Sequence, residues 1–284
     1  MYELIDGKQL AASMRVEIAE KVKEFAEKND RQIGLAVVLV GEDSASQVYV
    51  RNKIKACEDV GIKSLSYYLP ADVQQDKLEE LLKELAESNE VDGILVQMPL
   101  PKHIDSDRVL KLIPTEKDVD GFSEENIGKL AMNLDSLVAC TPNGVMEMLA
   151  SKNIEIRGKK AVVVGRSNIV GRPMALLLLN ADATVTICHS RTKDLKKECL
   201  EADILVAAIG KPKFITADMV KEGAIVMDVG MNRDIDGKLC GDVDFDNVKE
   251  KCSYITPVPG GVGPMTITML MYNTYLAAKR RSGI

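Results

Sequence analysis

Tryptophan is absent from the 284 residues, and there are only four phenylalanines and two histidines. So few aromatic faces leave little on which nucleobases could stack. An excess of positive charge is also missing: 37 Lys and Arg stand against 43 Asp and Glu, giving a net charge of -6. A nucleic-acid partner would call for a basic face, so none is expected. The six cysteines, at 57, 140, 188, 199, 240 and 252, include no CxxC pair, and neither His103 nor His189 lies beside such a pair. That excludes the usual zinc ligand spacings, so no metal is expected. Scattered cysteines of this kind read as small buried hydrophobes in a reducing compartment. No apolar run approaches the ~20 residues that span a bilayer, and no signal or transit segment is legible ahead of MYELIDGKQLAASMRVEIAEKV, which reads as a helix. The sequence therefore predicts a soluble, cytoplasmic protein with no membrane partner.

What is present is length and alternation. Hydrophobic residues make up 46% of the chain, enough for two cores. GLAVVLVG (34 to 41), KSLSYYLP and VDGILVQMPLP read as strands, separated by helical DSASQVYVRNKIKACEDVG (43 to 61) and DKLEELLKELAESN. The pattern resumes with KKAVVVG, ATVTICHS, ADILVAAIG, AIVMDVG and SYITPVPG, and MTITMLMYNTYLAAKRR forms a last helix. Strands alternating with helices predict parallel sheets covered on both faces. The expected fold is α/β and two-lobed. A parallel-sheet catalytic domain over 1–121 is joined by the C-terminal helix 265–284 returning to it, and a Rossmann-type domain covers 122–264.

VVVGRSNIVGRPM (162 to 174) has the outline of a strand, a tight turn and a helix start. Gly165 ends the strand, Gly171 falls in the first turns of the helix, and Pro173 sits where its missing N–H matters little. Lone glycine patterns are weak signals and fit an ordinary connection. However, this turn opens the first strand of an α/β half, where doubly wound folds hold a pyrophosphate. Arg166 and Ser167 add donors at a helix end that already attracts anions. A free ribose usually meets an acid about twenty residues after the glycines. That place reads CHSRT, with Ser190 and Arg191 and no acid. A 2′-phosphate suits such residues, each charge-assisted bond contributing roughly 1.5–3 kcal/mol. The cofactor expected is NADP.

Within residues 43 to 61, Val50, Ile54 and Cys57 form an apolar stripe, and Tyr49 and Lys53, four apart, lie beside it with Ala56 and Val60. Ser46 is one turn before Tyr49. Lys53 can simply lay its stem on the core; alternatively, partial burial makes it a proton-transfer group. Gln97 follows the third strand, at the sheet edge where ligands collect. KDVDGF supplies Asp118 and Asp120, which can form a turn or accept from a ligand's N–H groups.

The segments SQVYVRNKIKAC, GILVQMPLP, PTEKDVDGF, CTPNG, VVVGRSNIVGRPMA, CHSRT, DVGMNR, GDVDF and TPVPGGVGPMT occur in this order. Together they resemble the bifunctional methylenetetrahydrofolate dehydrogenase/methenyltetrahydrofolate cyclohydrolase family over nearly the whole chain, with PGGVGPMT, a rigid loop over 259–266, the most distinctive. The chain departs from that pattern at Ala139, where a proline is frequent, and at Met231, where isoleucine is common. The resemblance implies tetrahydrofolate substrates, a homodimer through the cofactor lobe, and NADP. It implies that Lys53 is the central catalytic residue, Tyr49 stacks on the pterin, Gln97 bonds to Lys53, and Asp120 accepts from the pterin. Ser46, Pro259, Gly260 and Gly261 would complete the substrate site. Gly165, Arg166, Ser167, Ser190, Arg191 and Met231 would bind the cofactor. Two other possibilities, a dehydrogenase for shikimate or an amino acid and a non-catalytic nucleotide sensor, give no reason for these segments together.

Overall fold

The computed structural model describes residues 2–283. Its first elements are β1 (Glu3–Leu4), α1 (Gly7–Asn29), β2 (Gly34–Val40), α2 (Ser44–Val60), β3 (Lys63–Leu69), α3 (Gln75–Glu87), β4 (Gly93–Val96), α4 (Ser106–Lys111), α5 (Glu124–Ala131) and α6 (Cys140–Ser151). There follow β5 (Lys160–Val164), α7 (Gly171–Asn180), β6 (Thr184–Cys188), α8 (Leu195–Leu200), β7 (Ile204–Ala207), β8 (Ala224–Asp228), β9 (Asn232–Arg233), β10 (Leu239–Cys240), α9 (Phe245–Val248), β11 (Cys252–Ile255) and α10 (Val262–Arg281). They form two compact units: a first of Ser13–Cys140 with Ile267–Ile284, and a second of Met1–Ala12 with Thr141–Thr266.

The first unit holds a three-stranded sheet in the order β3-β2-β4, parallel throughout. Central β2 is buried at all seven positions, which explains why GLAVVLV is apolar without alternating: both its faces are covered. Ala36, Val38, Leu78, Leu82, Ile94 and Val96 share one core, and each fully buried Leu, Ile or Val contributes roughly 1.5–3 kcal/mol. α2 starts at Asp43, whose carboxylate accepts from the Ser46 N–H at 2.7 Å. It stops at Gly61, left-handed at φ 80, a conformation open to glycine at little cost. Asp92 is fully buried and accepts from Arg31 at 2.8 and 3.0 Å, Arg281 at 2.8 Å and the Gly34 N–H at 3.0 Å. Through Arg281 the C-terminal helix is anchored in this unit.

The second unit contains a six-stranded sheet in the order β1-β11-β8-β7-β5-β6, every pair parallel. From β5 onward the chain places its second strand on one side of the first and its third on the other. Such a reversal leaves a crevice at the carboxyl edge between β5 and β7, where open α/β sheets bind ligands.

Three expectations need adjustment. Residues at the N-terminus do not begin a helix: Glu3 and Leu4 pair with Tyr254 and Ile255, and helix starts only at Gly7. The edge of β11 offers these residues main-chain partners that a helix end lacks. The units divide at 140/141 rather than 121/122, because Asn273 donates to the carbonyls of both Val119 and Val138, at 2.8 Å each, and ties that stretch into the first unit. PGGVGPMT is a loop only as far as Gly261. α10 begins at Val262, and Pro264 sits in its first turn, where no intrahelical donor is lost.

Candidate active site

In the first unit, α2 turns Lys53 to the edge of the core, half-buried, while Lys55 is exposed and Ala56, Cys57 and Val60 are buried. Lys53 Nζ donates to Gln97 Oε1 at 3.0 Å. Gln97 follows β4, and its backbone N–H bonds to Val38 O at 2.8 Å. Its Nε2 donates to Met98 O at 2.7 Å. That second bond fixes the amide orientation, so the oxygen faces the lysine. One turn before Lys53, Tyr49 keeps 37% of its surface exposed, and burial of the rest raises its pKa. Ser46 is almost wholly buried.

The two aspartates of KDVDGF have different work. Asp118 Oδ1 accepts from the Gly121 and Phe122 N–H groups at 3.1 and 3.2 Å, and Oδ2 accepts from the Ser123 N–H at 2.7 Å and Asn126 Nδ2 at 2.9 Å. It closes a turn. Asp120 makes no hydrogen bond from its side chain among the described residues. Although the residue keeps some surface, its carboxyl sits deep among protein atoms, and desolvation raises its pKa from 3.8 to about 6. The Lys53 charge opposes the shift and that of Asp118 adds to it. A carboxylate without a donor, within electrostatic reach of an amine, keeps its full capacity to accept hydrogen bonds.

In the second unit, Gly165 ends β5 at φ 128 and donates its N–H to Cys188 O at 2.9 Å. A side chain there would collide with the Ala208 carbonyl, and one at Gly171 with the Gly165 carbonyl and the Arg166 backbone. These two glycines let α7 start close against the strand ends, as a pyrophosphate cradle requires. Ser167 Oγ accepts from the Val170 and Gly171 N–H groups at 3.2 and 3.4 Å. It therefore caps the start of α7 and keeps its O–H free to donate. Arg166, Ser190 and Arg191 are exposed at the ends of β5 and β6, and Met231 is 45% exposed beyond β8. The five residues that follow β6 (189–193) include no acid, so they fit a 2′-phosphorylated dinucleotide. Pro259, Gly260 and Gly261 belong to this unit too, between β11 and α10; Gly260 O accepts from the Lys8 N–H at 2.9 Å.

Several residues that shape these sites escaped the sequence. Asp242 is fully buried and gathers the Ile209, Gly210 and Lys211 N–H groups at 2.6, 3.0 and 2.8 Å, and Asn232 Nδ2 at 2.9 Å. Asp228, beside it, accepts from Gly230, Asp242 and Val243, each at 2.9 Å, while burial pushes its carboxyl up to about 7. This pair organises the loops after β7 and β8. The signal was in DVGMNR and GDVDF, but nothing local says which backbone groups an aspartate will gather. A cavity of 370 Å³ opens at the opposite, amino edge of the sheet, lined by Lys152, Lys159, Asp203, Lys221 and Tyr254 among others, and no candidate site residue lines it. Among the described residues no group of three His, Cys, Asp or Glu could hold a metal ion.

The fold and these residues define a two-domain α/β enzyme that uses a phosphorylated nicotinamide dinucleotide. Residues 5–120 match the tetrahydrofolate dehydrogenase/cyclohydrolase catalytic domain, and residues 139–282 match the NAD(P)-binding domain of the same family. The chain is 56% identical over 279 residues to the bifunctional protein FolD of Campylobacter hominis, covering 98% of both chains. Among solved structures it is similar to the bifunctional enzyme FolD, methylenetetrahydrofolate dehydrogenase/cyclohydrolase, from Campylobacter jejuni. That match has a TM-score of 0.97 and 51% identity, and covers 99% of this chain and 100% of the other. It is also similar to the Trypanosoma brucei methylenetetrahydrofolate dehydrogenase-cyclohydrolase complexed with NADP and an inhibitor, with a TM-score of 0.95 and 40% identity over 100% of this chain and 99% of that one. The chain belongs to the tetrahydrofolate dehydrogenase/cyclohydrolase family.

Proposed function

We propose that this chain catalyses two consecutive reactions on one folate. It oxidises 5,10-methylenetetrahydrofolate to the 5,10-methenyl cation with NADP, then hydrolyses that cation to 10-formyltetrahydrofolate. The observation that carries the assignment of residues is the Lys53 amine held by a fixed Gln97 oxygen, with the unbonded Asp120 carboxylate in electrostatic reach.

Asp120, ionised, accepts from the N–H groups of the pterin and sets its orientation. Tyr49 offers its exposed ring as a stacking surface, and Ser46 lines the same end of α2. Gly165, Gly171, Arg166 and Ser167 receive the pyrophosphate, Ser190 and Arg191 with Arg166 meet the 2′-phosphate, and the segment at Met231 contacts the dinucleotide. NADP, when bound, supplies the hydride acceptor. The protein's part in that step is alignment of the methylene carbon.

Hydrolysis asks more of the side chains. As water adds to the methenyl carbon and the carbon–N5 bond opens, one water proton ends on N5 and the other leaves to solvent. In its neutral amine form Lys53 takes the first proton from the attacking water and passes it on, with Gln97 holding the amine in position. Lys53→Met is expected to leave methenyltetrahydrofolate accumulating as a stable chromophore when methylenetetrahydrofolate and NADP are supplied. Undiminished decay of that chromophore in the variant would remove Lys53 from the mechanism.

A homodimer through the second unit is supported by the free edge of β6, where Ile187 is 42% exposed, and by α7, packed on β6, where Leu179 is 55% exposed. Ile187→Lys is expected to halve the mass measured by sedimentation; an unchanged mass would exclude this edge. The six cysteines are free and buried, which suits a protein working in the reducing cytoplasm. No helix among the described residues is long and apolar enough to cross a membrane.

A further inference from the structure

We infer that Asn273 is a positioning residue for the folate reaction, holding Asp120 in register with the substrate through the Val119 carbonyl. The inference rests on the role of Asp120 proposed above.

Asn273 lies on α10, 1% exposed, in a stretch that also buries Met269, Leu270, Met271 and Ala277. An amide in such surroundings persists only when its hydrogens are used. Here Nδ2 donates to Val119 O and to Val138 O, each at 2.8 Å, so the two hydrogens of one nitrogen meet two carbonyls. Cys140 Sγ donates to the same Val119 O at 3.2 Å and stands 3.5 Å from Asn273 Nδ2. The peptide entering Asp120 is thus held by two side chains that come from far along the chain.

The peptide leaving Asp120 is held as well. Gly121 has φ 72 and backs onto Leu137, Val138 and Ala139 so closely that an added side-chain carbon would stand 2.5 Å from Val138 C and Ala139 N. Two residues before Asp120, Asp118 is fixed by its four donors. Every neighbour of Asp120 is therefore clamped, while its own carboxylate is left without a donor. That is the arrangement a preorganised acceptor needs: rigid backbone supplied by a supporting shell, and one open valence. Asn273 makes no bond to Asp120 and acts only through the Val119 peptide.

A purely architectural Asn273 would hold α10 in place and nothing more, and a double-mutant cycle separates the two roles. The four full-length proteins are the parent, Asn273→Ala, Asp120→Asn and the double variant. The readouts are KM for methylenetetrahydrofolate, KM for NADP and thermal midpoint. Asn273→Ala is expected to raise the folate KM about tenfold, with the NADP KM within about twofold of the parent, as lost orientation of one acceptor implies. In the Asp120→Asn background the same substitution is expected to add less than about twofold. An unchanged folate KM in folded Asn273→Ala, or losses that multiply in the double variant, would overturn the inference. An unchanged folate KM in Asp120→Asn alone would instead sink the role of Asp120 and take this inference with it. Should Asn273→Ala not fold, Cys140→Ala removes the weaker bond to the same carbonyl and leaves α10 anchored. It is expected to raise the folate KM about two- to fivefold, again without effect in the Asp120→Asn background; an unchanged folate KM in Cys140→Ala alone overturns the inference equally.

Discussion

Asp120→Asn should make the protein more stable while weakening its grip on folate, and the size of the gain should depend on pH. Burial raises this carboxyl from 3.8 to about 6. Below pH 3.8 the folded and unfolded chains both hold the proton, and burial of the neutral acid carries no ionisation penalty. As pH rises, the unfolded chain ionises first, and the folded chain must later charge a desolvated group, so stability is lost up to about pH 6 and stays lost above it. Each pKa unit corresponds to ~1.36 kcal/mol. The penalty is then about 1 kcal/mol at pH 4.5 and about 3 kcal/mol at pH 7.5. Asparagine never ionises, so urea unfolding should show a gain over the parent of those sizes at the two pH values. Folate binding should move the other way. The parent KM for methylenetetrahydrofolate rises as pH falls through about 6, because a protonated acid is a poorer acceptor, and the variant KM is high and flat. Equal stability differences at both pH values, or a parent KM indifferent to pH between 5 and 7.5, would refute the reasoning.

Two further outcomes test the cofactor residues and the frame of the first unit. Arg166→Ala is expected to raise the KM for NADP by about ten- to hundredfold, the loss of one or two charge-assisted bonds. The KM for NAD, which has no 2′-phosphate, should change far less, and steady-state rates with both cofactors provide the comparison. Asp92→Ala leaves Arg31 and Arg281 without their shared carboxylate, and because both arginines keep some solvent exposure the loss should be about 3 kcal/mol in urea unfolding.

Much of this was legible in local pattern. The uniformly apolar β2, the strand–glycine–helix outline at Gly165, and the missing acid after β6 each follow from residues within one turn or one strand of each other. Periodicity also put Lys53 at the margin of the core, since four-residue spacing fixes a helix face before any partner is known. The N-terminal strand was not legible. Glu3 and Leu4 have no strand pattern of their own and take their conformation from β11, some 250 residues away.

The sequence by itself determined the alternation that builds two parallel sheets, the backbone room for a dinucleotide at Gly165 and Gly171, and the preference for a phosphorylated cofactor. Only the tertiary structure decided which aspartate of KDVDGF has its carboxylate bonded into the fold and which keeps it without a donor. That choice depends on where donors arrive from. Asn126 and three backbone N–H groups reach Asp118, while Asn273 and Cys140 clamp the backbone beside Asp120 and leave its carboxylate open. Spacing along a chain fixes which face a residue occupies, but a buried polar group is satisfied by whatever the fold brings against it.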